Sequence, residues 1–138
     1  MNTEFNIPAG IVLSEPTCPG CEAEIGEYHT DLCDIARCAE TGLQRSAGCY
    51  GARGCRARRG ANCRSRWTGA FPGAVEAHEY GLYCLAFPPY PPCAPGTPGS
   101  MEDLNTLLRL CWWDRAARRW RLKDPKGPSP WPARAPRA

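Results

Sequence analysis

The sequence predicts a small α+β fold: a cysteine-rich N-terminal segment with little regular structure, then a short sheet or hairpin packed with one or two helices. Three observations predict it. Seven of the ten cysteines lie within residues 18–66, where neither helical nor strand periodicity is visible. Helix and strand signals crowd instead into residues 67–122. Large aliphatic residues are scarce in the 138-residue chain, so its apolar core is small, and a metal or a set of disulfides is the expected second stabiliser.

Three units follow: residues 1–66, cysteine-rich with a basic loop; residues 67–122, the small α+β core; and residues 123–138, a flexible tail with five prolines. The first 17 residues, with Pro8 and Pro16, read as an extended leader. In the core, Pro72 suits a first helical position and Gly81 a C-terminal stop, which predicts a helix of about two turns over 74–79. Leu82 to Phe87 reads as a strand ended by Pro88-Pro89. Ser100-Met101-Glu102-Asp103 resembles a capping box, and Leu104, Leu107, Leu108 and Cys111 follow as one apolar helical stripe. Trp112-Trp113 and Trp120-Arg121-Leu122 flank 114–118 as a hairpin. No internal repeat is visible. Cys84 and Cys111 read as small core residues, His78 as a helix-surface or hydrogen-bonded residue, and Cys93 has no assignment.

The strongest chemical signal is Cys18-Pro19-Gly20-Cys21. Such a turn puts two thiolates on one tight loop, each able to reach one tetrahedral cation at about 2.3 Å. His29 and Cys33 follow as an H-x3-C pair, which a helix would place on one face. Cys18, Cys21, His29 and Cys33 together have the composition of a closed structural zinc site, with Cys38 as reserve ligand. A second candidate set is Cys38, Cys49, Cys55 and Cys63, in which no pair has the x2 spacing. Disulfides and a thioredoxin-like redox pair remain open readings of the same cysteines. A catalytic zinc needs an open position and an acid/base partner, and Glu22, Glu24 and Glu27 read as surface charge.

The net charge of +3 hides blocks. Residues 1–40 carry a balance of −7, 41–75 of +7, 76–113 of −3 and 114–138 of +6. Arg53, Arg56, Arg58, Arg59, Arg64 and Arg66 occur together without a compensating acid. Guanidinium forks match phosphate oxygens, which points to nucleic acid; the competing reading is a solvated loop that pairs with the acidic N-terminal block. Met1 to Leu13 lacks Lys and Arg and its apolar run is too short for an export signal, so the expected compartment is the cytoplasm, where thiols stay reduced. A run of 18 apolar residues, which a membrane span requires, is missing. No deaminase, nucleophile-elbow, phosphate-loop or H-E-x-x-H signature occurs, so no enzyme activity and no small-molecule substrate are expected.

Three blocks, CPGCEAEIGEYHTDLCDIARC, RWTGAFPGAVEAHEYGLY and MEDLNTLLRLCWWD, resemble an uncharacterised family of small CPxCG-type zinc-finger-like proteins of actinobacteria and their phages. The resemblance covers about residues 18–120 and implies a cytoplasmic metal-binding protein, often associated with mobile elements, without a known activity. Relatives often carry a second C-x-x-C at the position of Cys38; here Thr41 stands where its second cysteine would be. The expected function is non-enzymatic zinc binding with nucleic acid, or a nucleic-acid-processing machine, held on the arginine-rich surface. The alternatives are a phage-encoded inhibitor or adaptor that docks on a protein through its acidic head (Glu22, Glu24, Glu27, Asp31 and Asp34), and a thiol redox protein.

Overall fold

The computed structural model describes residues 5–30, 33–45, 55 and 63–125. The fold is α+β, with two short helices, small antiparallel sheets and cysteine clusters in the N-terminal part.

Helix α1 spans Ala74–Glu79 as the sequence predicts, but Pro72 is not its first residue. Gly73, at φ 93°, is the N-cap and offers no side-chain oxygen, so the chain enters through a left-handed turn only glycine adopts cheaply. The helix closes at Tyr80, and Gly81 follows with φ 71°, the left-handed stop expected there.

Strand β1, Tyr83–Leu85, is shorter than the Leu82–Phe87 expectation and lies at the centre of a sheet ordered β2-β1-β3. Its partners are β2 (Pro92–Cys93) and β3 (Ser100–Glu102), both antiparallel. Ser100 is therefore no helix cap: pairing across from Leu85 claims it, and Glu102 pairs across from Tyr83. The cap is Asp103, whose carboxylate accepts from the Thr106 backbone N–H at 3.0 Å and from its hydroxyl at 2.7 Å.

Helix α2, Leu104–Leu110, follows at once and gives way directly to strand β4, Cys111–Asp114. The apolar stripe is narrower than its four-residue spacing suggests. Leu107 is buried and Leu104 packs against the core, but Leu108 is 44% exposed and Cys111 already belongs to the strand. Strand β5, Arg119–Leu122, completes the expected hairpin, with Trp113 opposite Trp120 and their rings 5.3 Å apart.

The leader is not free. The Val12 and Leu13 backbone N–H groups donate to the buried Glu102 carboxylate at 2.9 and 2.8 Å, and Ile11 packs with Ala70 and Ala74. A buried carboxylate is costly unless its oxygens accept hydrogen bonds, which explains why a segment of two prolines and few charges adheres here. No helix among the described residues is long and apolar enough to cross a membrane.

Candidate metal centre

The first site grows from a tight turn. The Cys18 N–H donates to the Ala23 carbonyl at 2.8 Å, the Glu22 N–H returns to the Cys18 carbonyl at 2.7 Å, and Glu22 takes φ 64° to close the loop. The Gly20 N–H points at the Cys18 Sγ at 3.4 Å. A Cβ on Gly20 would sit 3.0 Å from the Cys33 Sγ, a tight contact that the sulfur would have to yield by a few tenths of an ångström to admit. His29 arrives from the other side, where its N–H donates to the Ser65 carbonyl and its ring meets Trp67 edge-on at 6.0 Å. Among the described residues no helix presents His29 and Cys33, as the H-x3-C spacing suggested: Tyr28 makes an isolated bridge with Arg66, and His29 and Thr30 follow it in irregular backbone.

The ligand atoms of Cys18, Cys21, His29 and Cys33 lie within 4.8 Å of one another. Cys18 and Cys33 approach to 3.6 Å, and the His29 Nδ1 lies 3.5 Å from both Cys21 Sγ and Cys33 Sγ. Those separations identify the chemistry the group suits. A disulfide would need about 2.05 Å between sulfurs. A tetrahedral ion with sulfur at about 2.3 Å and nitrogen at about 2.0–2.1 Å sets edges of about 3.8 Å (S···S) and about 3.6 Å (S···N). The observed distances fit the tetrahedron.

Burial acts on these groups in different directions. Cys18, His29 and Cys33 are buried, while Cys21 is half-buried. Burial pushes the Cys33 thiol up to about 12. Burial also raises Cys21, but hydrogen bonds with the Thr30 and Ala23 backbone outweigh it and the net direction is down. His29 is held below its usual range, first by burial and then by the Arg45 charge, so it favours the neutral form that ligates.

A second cluster is separate from the first. Cys38, Cys55 and Cys63 are all buried, with their sulfurs within 4.8 Å of one another and Cys38–Cys55 at 3.6 Å. Cys38, expected as a reserve ligand of the first site, belongs here instead. The reason is a repeat that the sequence concealed. The Cys38 N–H donates to the Leu43 carbonyl at 2.7 Å and the Gly42 N–H to the Cys38 carbonyl at 2.8 Å, with Gly42 at φ 76°. That is the Cys18 turn again, and each is flanked by an isolated bridge, Thr17 with Glu24 and Arg37 with Gln44. In the second copy Thr41 occupies the place of Cys21, so this turn supplies one thiolate and Cys55 and Cys63 supply two more. The buried Arg45 donates to the Cys63 Sγ at 3.6 Å, a cation beside the thiols. Cys49 lies outside the described residues.

Of the six arginines singled out from the sequence, Arg64 and Arg66 are described; Arg53, Arg56, Arg58 and Arg59 lie outside the described residues. The guanidinium carbons of Arg64 and Arg66 both sit 4.6 Å from the centre of the Tyr28 ring, next to the first cluster. Tyr28 was missed from sequence. Its only signal was its place beside His29.

The remaining described cysteines make a prediction. Burial, with Asp103 next, pushes Cys84 up to about 11, and burial, with Glu76 next, does the same for Cys111. Cys93 is half-buried on the edge strand β2. Iodoacetamide at pH 7.5 is therefore expected to label Cys93 in the native protein and to spare Cys84 and Cys111 until denaturant is added, as read by peptide mass spectrometry. Equal labelling of all three would contradict the packing described.

No protein-family model matches the chain, and no curated protein or solved structure matches it significantly. The cysteine and histidine clusters themselves can hold metal ions.

Proposed function

We propose that this is a non-enzymatic, cytoplasmic zinc-binding protein whose ordered surface contacts nucleic acid or a machine that processes it. The observation that carries this reading is the tetrahedral spacing of Cys18, Cys21, His29 and Cys33, with Arg64 and Arg66 stacked on Tyr28 beside it. Zinc suits a Cys3His donor set, has no redox chemistry of its own, and in closed sites acts as a staple. The three thiols of the second cluster suit a further ion of the same kind. Stacking on an aromatic ring fixes guanidinium groups that would otherwise lose side-chain freedom on binding a phosphate. The three-block resemblance to small CPxCG proteins supports the same reading.

The test is metal analysis coupled to nucleic-acid binding. Protein purified without chelator is expected to carry zinc, and its affinity for a single-stranded oligonucleotide to fall steeply with salt. Replacing Arg56, Arg58 and Arg59 by Ala should flatten the slope of log affinity against log salt by about 2, at about 0.7 for each phosphate that is no longer neutralised. Zinc-loaded protein with no salt-sensitive retention of DNA or RNA would defeat the nucleic-acid half of the proposal.

A second reading has its own observation. Glu22, Glu24 and Glu27 are exposed around Ile25, itself 52% exposed. Asp31, the fourth acid of that head, lies outside the described residues. An exposed apolar residue flanked in sequence by exposed acids suits a basic groove on a protein target, as a phage-encoded inhibitor or adaptor would use. Co-purification with one protein partner, lost on Ile25→Asp, would favour it.

A further inference from the structure

We propose that the cleft between Tyr28, the Arg64–Arg66 segment and the β4–β5 turn is a binding site for one phosphoryl group. Four guanidinium groups line it, those of Arg37, Arg64, Arg66 and Arg118, and no acidic side chain among the described residues does. They come from three separate stretches of chain, so the cluster is a product of folding rather than of one basic run.

Its size selects the ligand. The cleft holds about 40 Å³, room for about three water-sized spheres, whereas sites for whole drug-sized ligands run to about 300 Å³ or more. A tetrahedral oxyanion fits and a nucleoside does not.

Its walls are set in advance. Arg64 and Arg66 are held on the Tyr28 ring, and Arg37 lies 4.8 Å from the centre of the Trp113 ring while also pairing with Glu76 at 3.6 Å. Such stacking fixes the fork of donors that pairs with phosphate oxygens. Arg118 adds an independent sign. It takes φ 55° at the end of the β4–β5 turn, where glycine or asparagine would sit more comfortably.

This site deepens the nucleic-acid reading, on which it rests only for the source of the phosphate. The experiment uses the zinc-loaded full chain and two probes, inorganic phosphate and a single-stranded dT12, titrated by calorimetry at several salt concentrations. Arg118→Gly keeps the turn, because glycine accepts that φ, and Arg66→Ala is the second variant. Arg109→Ala removes an equal charge from the exposed face of α2, away from the cleft. Each cleft variant is expected to weaken both probes about tenfold, and Arg109→Ala less than twofold, with metal content unchanged. If inorganic phosphate binds and responds to Arg118→Gly while dT12 does not bind, the pocket stands and the nucleic-acid reading falls. If dT12 binds with strong salt dependence but neither cleft variant weakens it beyond Arg109→Ala, the pocket is overturned and the nucleic-acid reading survives. Failure of inorganic phosphate to bind at millimolar concentration also overturns the pocket.

Discussion

Cys33→Ser is expected to cost the protein one equivalent of metal and the fold of its cysteine-rich half. The argument is one of missing alternatives. The cluster around the first site consists of Cys18, Ala23, Cys33, Ala36 and Trp67, in which Trp67 is the one large side chain fully buried. Full burial of a large apolar side chain contributes about 1.5–3 kcal/mol. A structural zinc ion contributes about 10–16 kcal/mol in small zinc-dependent folds. Regular structure does not fill the gap, because the described part of residues 5–70 contains isolated bridges and no named helix or strand. Residues 74–122 have their own cluster of Ala77, Leu82, Leu107, Cys111 and Trp120 and should be affected less. Elemental analysis and amide hydrogen exchange read the outcome: protection lost first over residues 15–45 and 63–70, with the β4–β5 hairpin retained. A Cys33→Ser variant with wild-type metal content and wild-type protection would remove the basis for a metal staple. Chelation should reproduce the effect in the unaltered chain.

The parts of this molecule that were legible in the sequence are those set by local chemistry. Helix α1 with its Gly81 stop and the Trp-rich hairpin follow from short-range signals. The Cys18-x2-Cys21 turn followed by His29 and Cys33 brings four donors together through near neighbours, and the structure places them so. What sequence did not reveal depends on partners far along the chain. Ser100 and Met101 look like a helix start, but Leu85 and Cys84 across the sheet claim them. Glu102 looks like first-turn charge, yet it anchors the backbone of Val12 and Leu13, 90 residues earlier. Leu108 fits the helical stripe by spacing and lies within α2, yet it is 44% exposed while its neighbour Leu107 is buried. The repeated turn was signalled only by the resemblance, which puts a second C-x-x-C at Cys38 with Thr41 in place of its second cysteine; within the chain, Gly42 stands at the left-handed position that Glu22 fills in the first copy.

That glycine yields the second large effect. Gly42→Ala is expected to destabilise the protein by about 2–5 kcal/mol, whereas Gly26→Ala should cost about 1–2 kcal/mol. Both glycines have positive φ, 76° and 94°, so both substitutions carry the left-handed penalty of about 1–2 kcal/mol. Only Gly42 adds a collision: a Cβ there would lie 2.5 Å from Trp113 Cδ2 and 2.7 Å from Trp120 Cζ2, while nothing lies within 4 Å of one on Gly26. Overpacking of that kind costs about a further 1–3 kcal/mol. The indole pair cannot easily retreat, since Trp113 donates to the Ala39 carbonyl at 3.1 Å and its ring carries Arg37, while Trp120 is buried and its backbone N–H is held by Glu76. Thermal unfolding of the two variants measures the difference directly. A second readout separates packing from general damage: Gly42 shares its turn with Cys38, so Gly42→Ala should weaken metal retention at the Cys38, Cys55 and Cys63 cluster and leave the Cys18 site filled. Equal melting temperatures for the two variants would mean that the cysteine-rich half does not rest on the Trp113–Trp120 pair in solution.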